Sequence, residues 1–109
     1  MPSRENLEPS TVVGRRIRER RKDLGWSQEK VGVLIGIDES SSRARISRYE
    51  RGVHEPPVAT ARLLANVLGV SLPYLYCEED AVAALLLALQ LLPTEQRTRR
   101  AKQLLGTLG

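Results

Sequence analysis

A chain of 109 residues, 41% of them hydrophobic, can build one compact domain, but with no phenylalanine and one tryptophan its core must come from leucine, valine, isoleucine and alanine. Lysine and arginine number 17 against 13 aspartates and glutamates, a net charge of +4 and a pI of ≈ 9.7, which suits a polyanionic partner without requiring one. A single cysteine, Cys77, excludes an intrachain disulfide; the longest apolar run (81–89) is far short of the about 20 residues a bilayer demands; and the polar start at 1–8 lacks the apolar centre of a signal peptide. The expectation is a cytoplasmic protein with no membrane association.

Residues 1–9 read as a flexible polar arm carrying Pro2 and Pro9. Ser10 or Thr11 can cap a first helix, in which Val13, Ile17, Arg21 and Leu24 recur at steps of four and three and mark one face. Arg15, Arg16, Arg18, Arg20 and Lys22 spread over the rest, and Gly25 suits the left-handed position past the helix end. Ser27 caps a second helix over 28–35, with Val31, Leu34 and Ile35 inward, Gly32 leaving room for another helix, and Gly36 as the stop. After a polar turn a third helix runs to Arg51 and stops at Gly52, its Arg43, Arg45, Arg48 and Arg51 set around one buried-type position, Ile46.

The Pro56-Pro57 pair forbids helix until a fourth begins at Val58, running to Leu68 with Ala61, Leu64, Ala65 and Leu68 inward and Gly69 as its cap. Ser71 caps a short fifth helix over 72–76. Asp80 then caps a helix over 81–92 that is apolar almost all round; Pro93 breaks it, and Thr94 caps a last helix to about 105, basic on most faces. A helix apolar on every side must be covered on every side, so the last helix or a second copy of the chain has to pack on it. The chain therefore divides into an arm (1–9), a helical domain (10–77) and a C-terminal helical hairpin (78–109) for dimerisation or partner binding.

Charge concentrates where the short helices are. Residues 14–51 hold 11 basic and 6 acidic residues, a net of +5. Two short helices about a glycine-marked turn, the second rich in arginine, suit insertion into a DNA major groove. With Ile46 inward and about 100° per residue, Tyr49, Glu50 and Ser42 share its side, while Ala44, Ser47, Arg48 and Arg51 lie opposite and Arg45 on a flank. Arg43 sits near the leading end, where a long side chain can reach out. Arg43, Ala44 and Arg48 are the candidates for base contacts, since arginine pairs with guanine O6 and N7 and alanine with the thymine methyl. Ser27, Gln28, Ser41, Ser42, Arg45, Ser47 and Arg51 have the chemistry for phosphates, Ser27 and Gln28 aided by the free amides of a helix start.

The stretches IRERRKDLGWSQE (17–29), RISRYERG (45–52), EP (55–56), LLANVLGV (63–70) and SLPYL (71–75) together resemble the phage-repressor-like helix-turn-helix family, also called XRE-type regulators. The resemblance implies an all-α, five-helix DNA-binding domain, here followed by the hairpin. It implies a dimer on a pseudo-palindromic operator, regulating transcription in a bacterial or phage-encoded setting at the nucleoid. It also implies that Gln28 touches the DNA backbone, that the leading residues of the third helix read bases, and that Arg21 pairs with Glu50. This chain has about four more residues between Gly36 and Ile46 than the family's usual spacing. They lie within 37–42 and form either a longer turn or an extra turn of helix.

The other chemistry-bearing residues are read as structural. Trp26 is a packing residue, His54 a loop residue near the candidate face, and Tyr49 an inward residue whose hydroxyl can reach a phosphate. No catalytic grouping, metal set or cofactor motif stands out, so no enzyme and no cofactor is expected. The leading expectation is a homodimeric repressor of double-stranded DNA. The alternative is an antitoxin or adaptor whose apolar C-terminal helix binds a partner protein.

Overall fold

The computed structural model describes residues 11–109; the arm at 1–9 and the cap candidate Ser10 lie outside the described residues. The described chain is helical in seven elements: α1 (Val12–Asp23), α2 (Gln28–Leu34), α3 (Glu39–Arg51), α4 (Val58–Leu68), α5 (Leu72–Tyr76), α6 (Asp80–Gln90) and α7 (Thr94–Leu108). Local chemistry sets the boundaries. The Thr11 hydroxyl accepts from the Gly14 N–H at 3.1 Å and starts α1, and the Ser27 hydroxyl accepts from the Lys30 N–H at 3.0 Å and starts α2. At the end of α2 the Ile37 N–H reaches Gly32 O and the Gly36 N–H reaches Val33 O, both at 3.0 Å, with Gly36 at φ 94. That paired closure needs a left-handed residue, which glycine adopts without strain.

The core is one cluster centred on Ile17, Val31, Ile46, Leu64, Leu68 and Leu75. It joins α1 to α5 and takes in Ala83 from α6. In α3, Ser42, Ile46, Tyr49 and Glu50 are the buried residues. Ile46 is the only aliphatic among them, and its burial contributes about 1.5–3 kcal/mol, which anchors an otherwise polar helix. α2 and α3 approach closely at Gly32, where an added Cβ would sit 2.4 Å from the Ser42 Cβ.

Four expectations need correction. Leu34 is 48% exposed rather than inward: α2 ends there, and Ile37, beyond the turn, packs against the core instead. Arg16, read as an outer-face residue, is 2% exposed. Its Nε and a terminal nitrogen donate to Cys77 O at 2.9 and 2.8 Å, and its guanidinium also meets Glu19 at 3.1 Å and Asp80 at 3.0 Å. Asp80 does not cap α6. The cap position is Glu79, and the Asp80 carboxylate instead accepts from Arg15 at 2.8 Å and from Arg16, which holds its acid below the usual carboxylate range. Thr94 is the first residue of α7 rather than its cap, with Pro93 ahead of it, and α7 continues past 105 to Leu108.

α6 and α7 form a hairpin whose turn is held by Arg97, which donates to the carbonyls of Leu89, Gln90 and Leu92 at 3.0–3.1 Å. Of α6 only Ala83 is buried, and of α7 none. Val82, Leu85, Leu91, Leu105 and Leu108 stay exposed. Among the described residues no helix is long and apolar enough to cross a membrane.

Candidate nucleic-acid interface

α3 begins at Glu39, so residues 39–42 form an extra turn of helix at its front, while Ile37 and Asp38 stay in the turn ahead of it. Asp38 and Glu39 stand at its start, where negative charge favours the helix dipole. The turn is fixed to the fold by Ser42. This side chain is fully buried, and its hydroxyl donates to Asp38 O at 2.8 Å and lies 3.1 Å from Ile37 O. Ser42 is thereby removed from the phosphate candidates. Its place beside Ile46 on the wheel, with the space left by Gly32, outweighed its polar chemistry.

The rest of α3's outer surface is accessible: Ser41, Arg43, Ala44, Arg45 and Arg48 are exposed, Ser47 and Arg51 half-buried. Between this surface, the second half of α1 and the start of α2 runs an open cleft of ≈ 820 Å³. Arg43, Ala44, Ser47 and Arg51 line it from α3, and Ser27 and Gln28 from α2. Arg18 and Lys22 line it from α1 and were not singled out from the sequence, where α1's basic residues looked like a general solvated surface. Five basic and two acidic side chains border the cleft, and one of the acids, Glu50, is buried against Arg21. The field in it is positive, which suits a polyanion.

Arg48, Ser41 and Arg45 do not line this cleft. Ser41 and Arg45 border a smaller depression toward Thr60 and Leu63. The exposed arc of α3 thus has two flanks, and at about 100° per residue Arg48 falls between them. Ser40 was also missed. It lines the main cleft three residues ahead of Arg43 and four ahead of Ala44, a register that becomes visible only once the helix start is known.

Beneath the cleft Arg21 and Glu50 meet as the resemblance implied, with Nε–Oε2 at 2.6 Å and a second bond at 2.9 Å. Arg21 also donates to Trp26 O at 2.9 Å, and Gln28 Nε2 donates to Glu50 Oε1 at 3.2 Å. The pair therefore ties α1 to α3 and orients Gln28 at the mouth of α2. Ser27 Oγ is engaged as the α2 cap, and Ser47 Oγ accepts from Arg51 Nε at 3.3 Å. Trp26 is half-buried against the core, with Lys30 Nζ 4.7 Å from its ring centre. Tyr49 is buried and His54 is an exposed loop residue; neither lines the cleft.

A family model described as Helix-turn-helix matches residues 17–75, which reach from within α1 into α5. The chain is 36% identical over 64 residues to an SPbeta prophage-derived uncharacterized HTH-type transcriptional regulator, YonR, of Bacillus subtilis (strain 168), covering 59% of this chain and 56% of that one. It is also 36% identical over 69 residues to an uncharacterized HTH-type transcriptional regulator of Sinorhizobium medicae (strain WSM419), covering 63% and 45%. The chain spans about half the length of the curated relatives it matches. A crystal structure of the transcriptional regulator BswR superposes with a TM-score of 0.74 at 42% identity, covering 88% of this chain and 98% of that one. A match of that extent reaches beyond α5 into the hairpin.

Proposed function

This chain belongs to the helix-turn-helix family of transcriptional regulators, which bind double-stranded DNA and are not enzymes, and from that premise we propose that it is a repressor acting as a homodimer on a pseudo-palindromic operator. α3 lies in the major groove. Arg43, Ala44 and Arg48 meet base edges, while Ser27, Gln28, Ser41, Arg45, Ser47 and Arg51 meet phosphates on the two sides of the groove. The observation that carries this is the pairing of an exposed, arginine-bearing arc on α3 with the positive cleft beside it.

The homodimer reading is supported by the hairpin, whose Val82 and Leu85 on α6, Leu91 just past its end, and Leu105 and Leu108 on α7 remain exposed in the single chain. Covering them with a second copy buries apolar surface at about 25 cal/mol per Å². It also sets two α3 helices to enter successive major grooves, about 34 Å apart. A bound dimer then blocks polymerase by occupying the operator. The prophage-derived relative and the rhizobial one support a bacterial or phage-encoded regulator working in the cytoplasm.

The test is a pair of measurements on the purified chain. Sedimentation equilibrium is expected to give a dimer, and anisotropy titrations to give an affinity for a selected duplex at least about 10³-fold above that for random duplex at physiological salt. Equal affinity for both duplexes overturns the sequence-reading role. A monomer, or an aggregate that a different protein dissolves, favours the partner-binding alternative.

A further inference from the structure

We infer that the first turn of α3 extends each half-site by one base pair, and that Ser40 is the residue that reads it. This rests on the placement of α3 in the major groove. The side chains of Ser40, Arg43, Ala44, Ser47 and Arg51 stand at i, i+3, i+4, i+7 and i+11 along one side of the helix, and all of them line the same cleft. Ser40 is exposed and is the leading member of that stripe. It lies three residues ahead of Arg43, an axial rise of about 4.5 Å. Successive base pairs are about 3.4 Å apart, so a helix that brings Arg43 to one base pair brings Ser40 to the next.

The turn is rigid enough to read a base. Ser42 is buried against Gly32 and hydrogen-bonded to the backbone at 37 and 38, so the helix start cannot fray without opening the α2–α3 contact. A phosphate at Ser40 is disfavoured by the neighbouring Glu39 carboxylate, whereas Ser41 has Arg45 beside it in the depression on the other flank. A serine hydroxyl both donates and accepts, and a base edge in the groove floor offers it a partner.

The experiment is selection from randomised duplexes with the full chain and three variants, each checked for an unchanged unfolding midpoint. Arg43→Ala locates the base pair that Arg43 reads. The original chain is expected to show a preference of about two- to tenfold at an adjacent base pair, the size of one net hydrogen bond. Ser40→Ala is expected to flatten that column alone. Ser40→Gln is expected to turn it toward adenine, which pairs with a glutamine in bidentate fashion. An adjacent column without preference, or one that neither Ser40 variant alters, overturns the inference while leaving the groove reading intact. Enrichment at no position overturns the groove reading itself, and this inference with it.

Discussion

Substituting Glu50 by alanine is the most informative single perturbation of this fold. Its carboxylate holds Arg21 through bonds of 2.6 and 2.9 Å, and the two side chains are 3% and 12% exposed. Removing the acid leaves a guanidinium facing the interior and held by its bond to Trp26 O at 2.9 Å. Breaking a buried pair costs about 3–5 kcal/mol, and the retained carbonyl bond places this case near about 3 kcal/mol. For a domain of this size each kcal/mol lowers the midpoint by about 4–8 °C, so Tm is expected to fall by about 12–24 °C. Urea denaturation followed by circular dichroism measures the loss directly. The double variant Arg21→Met with Glu50→Leu is expected to recover most of it, because two apolar side chains leave no stranded charge. Gln28 also loses its acceptor in Glu50→Ala, so DNA affinity is expected to drop further than the unfolded fraction explains. A Glu50→Ala chain within 1 kcal/mol of the original (about 5 °C), or a double variant as unstable as both single losses added, would refute the reasoning.

Arg48→Ala is expected to lower specific affinity by about 1–3 kcal/mol and relax one position of the operator, whereas Arg51→Ala weakens all duplexes alike and reduces the salt slope by about 1; titrations at several salt concentrations separate the two. Gly32→Ala places a methyl 2.4 Å from the Ser42 Cβ, and the forced separation of α2 from α3 is expected to cost about 1–3 kcal/mol against the about 1 kcal/mol gained in helix propensity, leaving a net loss visible as a lower urea midpoint. Leu85→Glu, on the exposed side of α6, is expected to give a folded monomer by sedimentation that binds a single half-site weakly. The folded Asp80 acid lies below its ordinary value of 3.8 because Arg15 and Arg16 donate to it. Its contribution is therefore present above that value and lost as pH falls through the lower folded one, and Asp80→Asn is expected to remove this part of the acid-side dependence in pH-resolved unfolding.

Much of the helix order is visible in the residues because the punctuation is local. Thr11, Ser27 and Ser71 cap through their own hydroxyls, and Gly25, Gly36, Gly52 and Gly69 close helices at positive φ. The buried side of α3 is likewise readable from one aliphatic residue and the helical period. What escaped the sequence depends on groups distant in the chain. Arg16 is buried because Cys77 O, 61 residues away, accepts from it, and no local pattern announces such a partner. Arg20 behaves similarly, donating to Leu68 O at 2.8 Å across 48 residues. These arginines close the ends of α5 and α4, as Arg97 closes α6, so a count of basic residues overstates the charge offered to DNA. Asp80 was a sound cap by type, yet two arginines of α1 drew its carboxylate away. Ser42 stood on the inner side of the wheel beside Ile46, and that position decided its burial over its polar chemistry; Ser40 was missed because the sequence left residues 37–42 open between a longer turn and an extra turn of helix.

Guanine N7-methylation interference tests most directly whether the outer face of α3 meets the floor of the major groove. Methylation at N7 occupies the acceptor that an arginine shares with O6. Binding is expected to be blocked by methylated guanines in two clusters about one helical turn apart, and Arg48→Ala is expected to relieve the block at one guanine of each cluster. Binding indifferent to N7 methylation but abolished by alkylation of adenine N3 would put the protein in the minor groove and contradict the placement of α3.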